Sequence, residues 1–196
     1  RKSPSNRSQY HPAICHMSGN EQSSDTKKSA VYFCRHAESR HNAFGDNSVD
    51  VDLSERGESQ ARALTGEFDL VLCSPMRRAR RTLDLSGIRY QRLEIVPQMR
   101  EWIFDLSDQM AGEPAELRES PVDIERRCQM VRERLRSLLS VNGAGVEHAA
   151  PRSVLLVSHA AFGRELFRVC GCDRPIGNIA NAVIYPFNLD FSSPAS

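Results

Sequence analysis

Three apolar runs in this chain each hand over directly to a polar, reactive residue and then to a helix-like segment. The first is "AVYFCRHAESRHN" (30–42), where Val31 to Cys34 suit a buried strand and Arg35 and His36 follow with no spacer. The second is "FDLVLCSPMRRARRTLDL", in which Leu70 to Cys73 read as strand, Ser74 as a helix N-cap and Pro75 as the first helical residue. The third is "RSVLLVSHAAFGRELFRVCG", with a strand over Val154 to Val157, ended by Ser158 and His159, and a helix running to Gly171. Short apolar strands alternating with helices predict an α/β domain, a three-layer α/β/α sandwich on a mostly parallel sheet.

Parallel sheets of this kind bind ligands beyond the carboxyl ends of their strands, where helix N-termini offer free N–H groups and positive dipole ends. Arg35, His36, Ser74, Arg77, Arg78, Ser158 and His159 all fall at that edge. A strand that ends on Arg-His delivers them to a site.

The remaining segments support this frame. "DVDLSERGESQARAL" places Ser54 as an N-cap before an amphipathic helix, and its "GES" lies inside a helix start, which excludes a nucleophile elbow. In "PVDIERRCQMVRERLRSLL", Ile124, Cys128, Val131, Leu135 and Leu138 recur at spacings of four and three, an amphipathic helix packed on the sheet. Residues 142–151 read as a surface loop, and a closing strand is expected around Ala182 to Phe187. Residues 1–28 are polar and aperiodic and predict disorder, in part as a leader joined ahead of Met17; a catalytic domain over 29–190 and a tail over 191–196 follow.

A formal net charge of +1 gives no global attraction to nucleic acid or membrane, and no apolar run approaches a membrane span. The N-terminus has no apolar h-region, so no signal peptide is expected. Six cysteines are present, and Cys34 and Cys73 close apolar strands as small hydrophobes. Cys170 and Cys172 have no second pair to complete a tetrahedral metal site, and read as structural thiols in a reducing, cytoplasmic setting. The basic residues are 23 arginines against three lysines. Arginine's planar fork grips phosphate or carboxylate at two points, though most of these arginines need be no more than surface charge.

Two histidines and at least two arginines converging on one polar edge describe an anion pocket, and phosphate suits arginine forks and helix N-termini best. A neutral histidine there can attack phosphorus and carry the phosphoryl group. A carboxylic acid kept protonated by burial or neighbouring negative charge can supply the leaving oxygen's proton. Taken singly, each histidine would read as a hydrogen-bonded core residue; their shared strand-end context, together with the order of the five motifs given next, favours catalysis. A metal site of His36, His41 and a carboxylate has no supporting ligand spacing.

At these residues the chain resembles the histidine phosphatase superfamily, the phosphoglycerate mutase-like family, in its first branch. "RHAESRHN" is similar to its Arg-His-Gly-Glu-Ser/Thr-x-x-Asn, and "DLSERGESQA" to its Leu-Thr/Ser-x-x-Gly-x-x-Gln-Ala. "SPMRRARRT", "MRE" at 99–101 and "VSHAAFGREL" resemble three further motifs, in order, over about residues 30 to 187. The resemblance implies His36 as nucleophile, with Arg35, Arg78 and His159 on the phosphate oxygens. It implies Glu101 as general acid, and Asn42, Ser39 and Ala160 at the phosphate or substrate rim. The chain departs from the pattern at Ala37 and Ala160, which replace glycines, and at Asp105, near another family glycine. Asp105 is also the next candidate acid after Glu101.

The expected activity is hydrolysis of a phosphate monoester through a phosphohistidine, with no metal or cofactor. The partner is a phosphorylated substrate whose identity the sequence leaves open, as it does self-association into a homo-oligomer. A phosphoglycerate mutase is the alternative within catalysis, but the roughly 57 residues between Glu101 and His159 are short for the insertion that mutases carry there. A catalytically weak binding module of the same fold is the alternative outside catalysis.

Overall fold

A computed structural model describes residues 29–140, 150–172 and 178–189. The expectations for residues 1–28, for most of the 142–151 loop and for the 191–196 tail lie outside the described residues.

Strand β1 (Ala30–Arg35) pairs in parallel with β4 (Ser153–Ser158), running from Ala30 opposite Ser153 to Arg35 opposite Ser158. On the other side of β4 lies β2 (Thr65–Cys73), also parallel, with Cys73 opposite Val157. An outer parallel strand, β3 (Gly87–Ile95), and a short antiparallel β5 (Ile184–Pro186) complete the order β3-β2-β4-β1-β5.

The strand side chains alternate between two cores, as period-two geometry requires of a sheet covered on both faces. Val31, Phe33, Leu70, Leu72, Val154 and Leu156 point into one core, with Ile124, Cys128, Val131 and Leu135 of α4 (Pro121–Leu139) and Phe162, Leu166 and Phe167 of α5 (Ala160–Val169). Cys34, Val71, Cys73, Leu155 and Val157 point into the other, against Ala79 and Leu83 of α3 (Arg77–Leu85). This gives the three layers. Each fully buried Leu, Val or Phe contributes about 1.5–3 kcal/mol, which makes the central strands the most strongly specified part of the chain. Burial pushes the thiols of Cys34 and Cys73 up to about 12, as befits inert packing groups.

Two helices lie before β2: α1 (Arg40–Phe44), with a capping box of Ser39 and Asn42, and α2 (Glu55–Ala63), capped by Ser54 as expected. The start of α3 differs from the sequence reading. The helix begins at Arg77 with Met76 as N-cap, two residues later than Pro75, while the Ser74 hydroxyl meets His159 at 2.7 Å and also accepts from Met76 N–H at 3.3 Å. Helix α5 ends as expected at Gly171, whose φ of 64° lets its N–H reach the Arg168 carbonyl. No helix among the described residues is long and apolar enough to cross a membrane.

Candidate active site

Because β1, β2 and β4 run parallel and end level, the residues just past their carboxyl ends become neighbours. His36 N–H donates to the Ser158 carbonyl at 2.8 Å, and Ser74 N–H to the Val157 carbonyl at 3.0 Å. The rings of His36 and His159, 123 positions apart in sequence, stand 5.1 Å apart between centroids.

The loop carrying His36 is clamped from two helices. Ala37 N–H donates to Thr82 Oγ1 of α3 at 2.9 Å, and Glu38 N–H donates to Gln60 Oε1 of α2 at 2.9 Å. The Glu38 carbonyl accepts from Ser54 N–H at 3.0 Å, and Glu38 Oε1 from the Ser54 hydroxyl at 2.8 Å. The close approach of α2 needs Gly57, where a Cβ would fall 1.9 Å from the Glu38 carbonyl oxygen. The segment "LSERGESQA" is therefore a buttress for the loop that carries His36. Ala37 is not among the described non-glycine residues with positive φ, which are Asp50 and Ala182, so alanine fits there without strain.

His36 is 3% exposed. Its Nδ1 lies 2.6 Å from the Ala37 carbonyl oxygen, which can only accept, so the proton sits on Nδ1 and Nε2 carries the lone pair. Burial, then the charges of Arg78 and Arg35, hold its pKa well below the usual imidazole value. His159 is fully buried and held neutral in the same way, by burial, Arg78, His36 and Arg35. Its tautomer is the opposite one: Nδ1 accepts from Arg78 Nε at 3.3 Å, which leaves the Nε2 proton to the Ser74 hydroxyl.

Arg78, 4% exposed, donates Nη1 to the Ser107 carbonyl at 2.7 Å and Nη2 to Asp108 Oδ1 at 3.0 Å. With Nε on His159, three of a guanidinium's five N–H bonds are engaged and one on each Nη is left. Arg35 donates Nη1 to the Ile179 carbonyl at 3.0 Å, while its buried Nε has no partner among the described residues. Asn42 Oδ1 lies 3.4 Å from Arg35 Nη2 and 3.4 Å from Asn181 Nδ2, and the latter also donates to the His36 carbonyl at 2.8 Å. An open groove of about 880 Å³ adjoins this rim, lined by Glu38, Arg40, Asn42, Phe44, Leu53 and Arg56. Ser39 is buried, and its hydroxyl accepts from Asn42 N–H as the cap of α1.

Glu101 sits at the N-terminus of α5. Its Oε1 accepts from Trp102 N–H at 2.9 Å and Phe162 N–H at 2.8 Å, and its Oε2 from Ala161 N–H at 3.2 Å. Ala160 is the first residue of that helix. The backbone before Glu101 is anchored by Ser158 Oγ donating to the Met99 carbonyl at 2.7 Å. Arg127 of α4 braces it as well, donating to the carbonyls of Gln98 (2.7 Å), Arg100 (3.0 Å) and Glu101 (3.3 Å) while paired with Glu119. Asp105 caps the Leu106–Asp108 turn, its Oδ1 accepting from the Ser107 N–H and hydroxyl at 2.8 and 2.7 Å. Arg77 and Arg81 look toward acidic neighbours, Asp52 at 4.0 Å and Glu58 at 3.3 Å.

His36, His159 and Arg78 thus stand together beyond the carboxyl ends of the strands, with Arg35 closing β1, Glu101 at the start of α5 and Asn42 beside Arg35. Sequence reasoning gave no role to Thr82, Gln60, Asn181, Arg127 or Asp108. Thr82 and Gln60 lie inside quoted motifs and were within reach. Arg127 sits in a helix crowded with arginines and Asp108 in an irregular segment, where no periodicity marks either.

The chain is 28% identical over 148 residues to an acid phosphatase of Mycobacterium tuberculosis, covering 66% of this chain and 70% of that protein. Its fold is similar to that of an α-ribazole phosphatase from Shigella flexneri, with a TM-score of 0.58, 18% identity, and coverage of 83% of this chain and 91% of that one. It is also similar to the product of a Mycobacterium tuberculosis open reading frame, with a TM-score of 0.57, 21% identity, and coverage of 84% and 93%. Residues 31–184 match the histidine phosphatase superfamily, branch 1, and with the two histidines set at the carboxyl edge of a parallel sheet this chain belongs to that family.

Proposed function

We propose that this protein hydrolyses phosphate monoesters through a phosphohistidine formed on His36. The observation that carries the reading is the His36 tautomer: with Nδ1–H on the Ala37 carbonyl, Nε2 presents a lone pair inside a pocket flanked by Arg35, Arg78 and His159. A phosphate bound there would satisfy the unpartnered Nε of Arg35 and take the two remaining N–H bonds of Arg78. His36 Nε2 attacks phosphorus, the P–O bond to the leaving group breaks, and protonated Glu101 delivers its proton to the departing oxygen. Oε2 is the oxygen suited to this transfer, since it accepts one N–H bond where Oε1 accepts two. Water then attacks the phosphohistidine, Glu101 takes the water's proton, the N–P bond breaks and inorganic phosphate leaves.

The relatives named an acid phosphatase and an α-ribazole phosphatase support phosphomonoester chemistry, and leave this chain's own substrate open. The test is His36→Ala. It is expected to abolish turnover of p-nitrophenyl phosphate and to remove an acid-labile, base-stable phosphoenzyme. Retention of more than a few per cent of the wild-type rate would sink the mechanism.

A further inference from the structure

Asp108 lies outside every recognised motif, yet it is 9% exposed and in direct contact with the pocket's buried arginine. Its Oδ1 accepts from Arg78 Nη2 at 3.0 Å and its Oδ2 from Phe104 N–H at 3.3 Å, so both oxygens have a set direction. The preceding residue, Ser107, takes Arg78 Nη1 on its carbonyl at 2.7 Å. One turn therefore grips both ends of a rigid, planar guanidinium. With the plane fixed, the third donor, Nε, has one place to go, and it meets His159 Nδ1 at 3.3 Å. That bond in turn commits the His159 proton to Nε2 and Ser74, at 2.7 Å. The four side chains form a continuous buried chain from β2's end to the turn: Ser74, His159, Arg78, Asp108.

We propose that Asp108 is a positioning residue: it orients Arg78 in the phosphate pocket and, through Arg78, fixes the tautomer of His159. This rests on the phosphatase reading above. The role has a pH signature, because only the ionised carboxylate forms the pair. The groups facing Asp108 are Arg78 from α3, Arg100 and Glu101 from the segment after β3, and Asp105 from its own turn. Arg100 is itself paired with Glu113. Burial holds the Asp108 carboxyl above the usual range; Arg78 opposes the rise, and Glu101 and Asp105 add to it. As pH falls, Asp108 takes up a proton and its grip on Arg78 slackens.

The experiment compares the wild type with Asp108→Asn in the full chain. It uses equilibrium binding of orthovanadate, kcat and KM for p-nitrophenyl phosphate from acid to neutral pH, and the ring ¹⁵N resonances of His159. At neutral pH the variant is expected to bind vanadate about 10–100-fold more weakly, the scale of one charge-assisted hydrogen bond, and to lose kcat/KM by a similar factor. His159 is expected to lose its single Nε2–H signature. Toward acid pH the two proteins should converge, since the wild type then carries a neutral Asp108 too. A merely structural contribution would lower activity by one factor at every pH. Unchanged or tighter vanadate binding, or a ratio that does not vary with pH, overturns the proposal. If Asp108→Asn does not fold, Asp108→Glu serves: it keeps the charge but displaces the guanidinium, so wild-type vanadate affinity in it overturns the proposal equally. A wild type that neither binds vanadate nor turns over would instead refute the phosphatase reading.

Discussion

Replacing Gly57 by alanine tests whether α2 holds His36 in place for the proposed reaction. The added Cβ would lie 1.9 Å from the Glu38 carbonyl oxygen and 2.8 Å from the Glu38 carbonyl carbon. Ordinary carbon contacts need about 3.5 Å, so the two backbones must part by roughly 1 Å or more. Neither has slack. Glu38 is tied to Gln60 and Ser54, Ala37 to Thr82, and His36 to the end of β4. Overpacking costs about 1–3 kcal/mol, while alanine's helix preference returns about 1 kcal/mol. The net loss is roughly 0–2 kcal/mol, and at about 2–4 °C per kcal/mol for a chain of this size the melting temperature falls by no more than about 8 °C. Catalysis is far more sensitive, since a misplacement of about 1 Å can cost on the order of 10²-fold. The expected signature is therefore discordant: kcat on p-nitrophenyl phosphate drops about 10²-fold while the thermal transition moves only a few degrees. Turnover within about twofold of wild type would show that the α2 contact does not position His36, and the reasoning fails.

Two further perturbations probe the acid and the histidines. Glu101→Gln is expected to slow hydrolysis of alkyl phosphates by about 10²–10⁴, because an alkoxide leaving group needs the proton. The p-nitrophenyl phosphate burst should slow far less, and equal losses with both leaving groups in that burst would remove Glu101 as the acid. His36 and His159 are held neutral in the folded chain with pKa values well below 6.5, so below that pH the unfolded chain binds protons that the folded one refuses. Stability is full above about pH 6.5 and falls as pH drops from there toward the folded-state values, by up to about 1.4 kcal/mol per pH unit per histidine. Chemical denaturation across pH 5 to 7.5 with His159→Gln should flatten part of this slope; an unchanged slope would mean the ring is not buried neutral.

Much of the frame was legible in the chain because the signals are local. Four-residue apolar runs closed by Cys34, Cys73 and Ser158 mark central strands, since both faces of such a strand must be apolar. The four-and-three spacing from Ile124 to Leu135 marks α4 because a helix laid on a sheet is apolar along one stripe, and the hydroxyl of Ser54 marks the start of α2. From these follow a parallel sheet, its carboxyl edge, and the placing of His36, Arg78 and His159 there. Strand β3 escaped notice because it is an edge strand. Arg89, Tyr90 and Gln91 are exposed on both faces of the strand, so the apolar alternation that would reveal it is missing. Helix α1, at five residues, is too short for any period to show.

What the tertiary structure alone decided is which polar atom meets which. The Ser74 hydroxyl reads locally as a helix cap and does accept from Met76 N–H, but the register of β2 beside β4 also brings His159 to it, at 2.7 Å. Arg78 is one of four arginines in the run "RRARR", and local sequence does not show which of the four is buried; the packing of α3 turns that one toward Ser107 and Asp108, about 30 positions away. The opposite tautomers of His36 and His159 depend on a carbonyl beside one ring and a guanidinium beside the other. Periodicity and capping are properties of neighbours in sequence. Proton positions and ion pairs are properties of neighbours in space, and a chain acquires those only when its sheet has chosen a register.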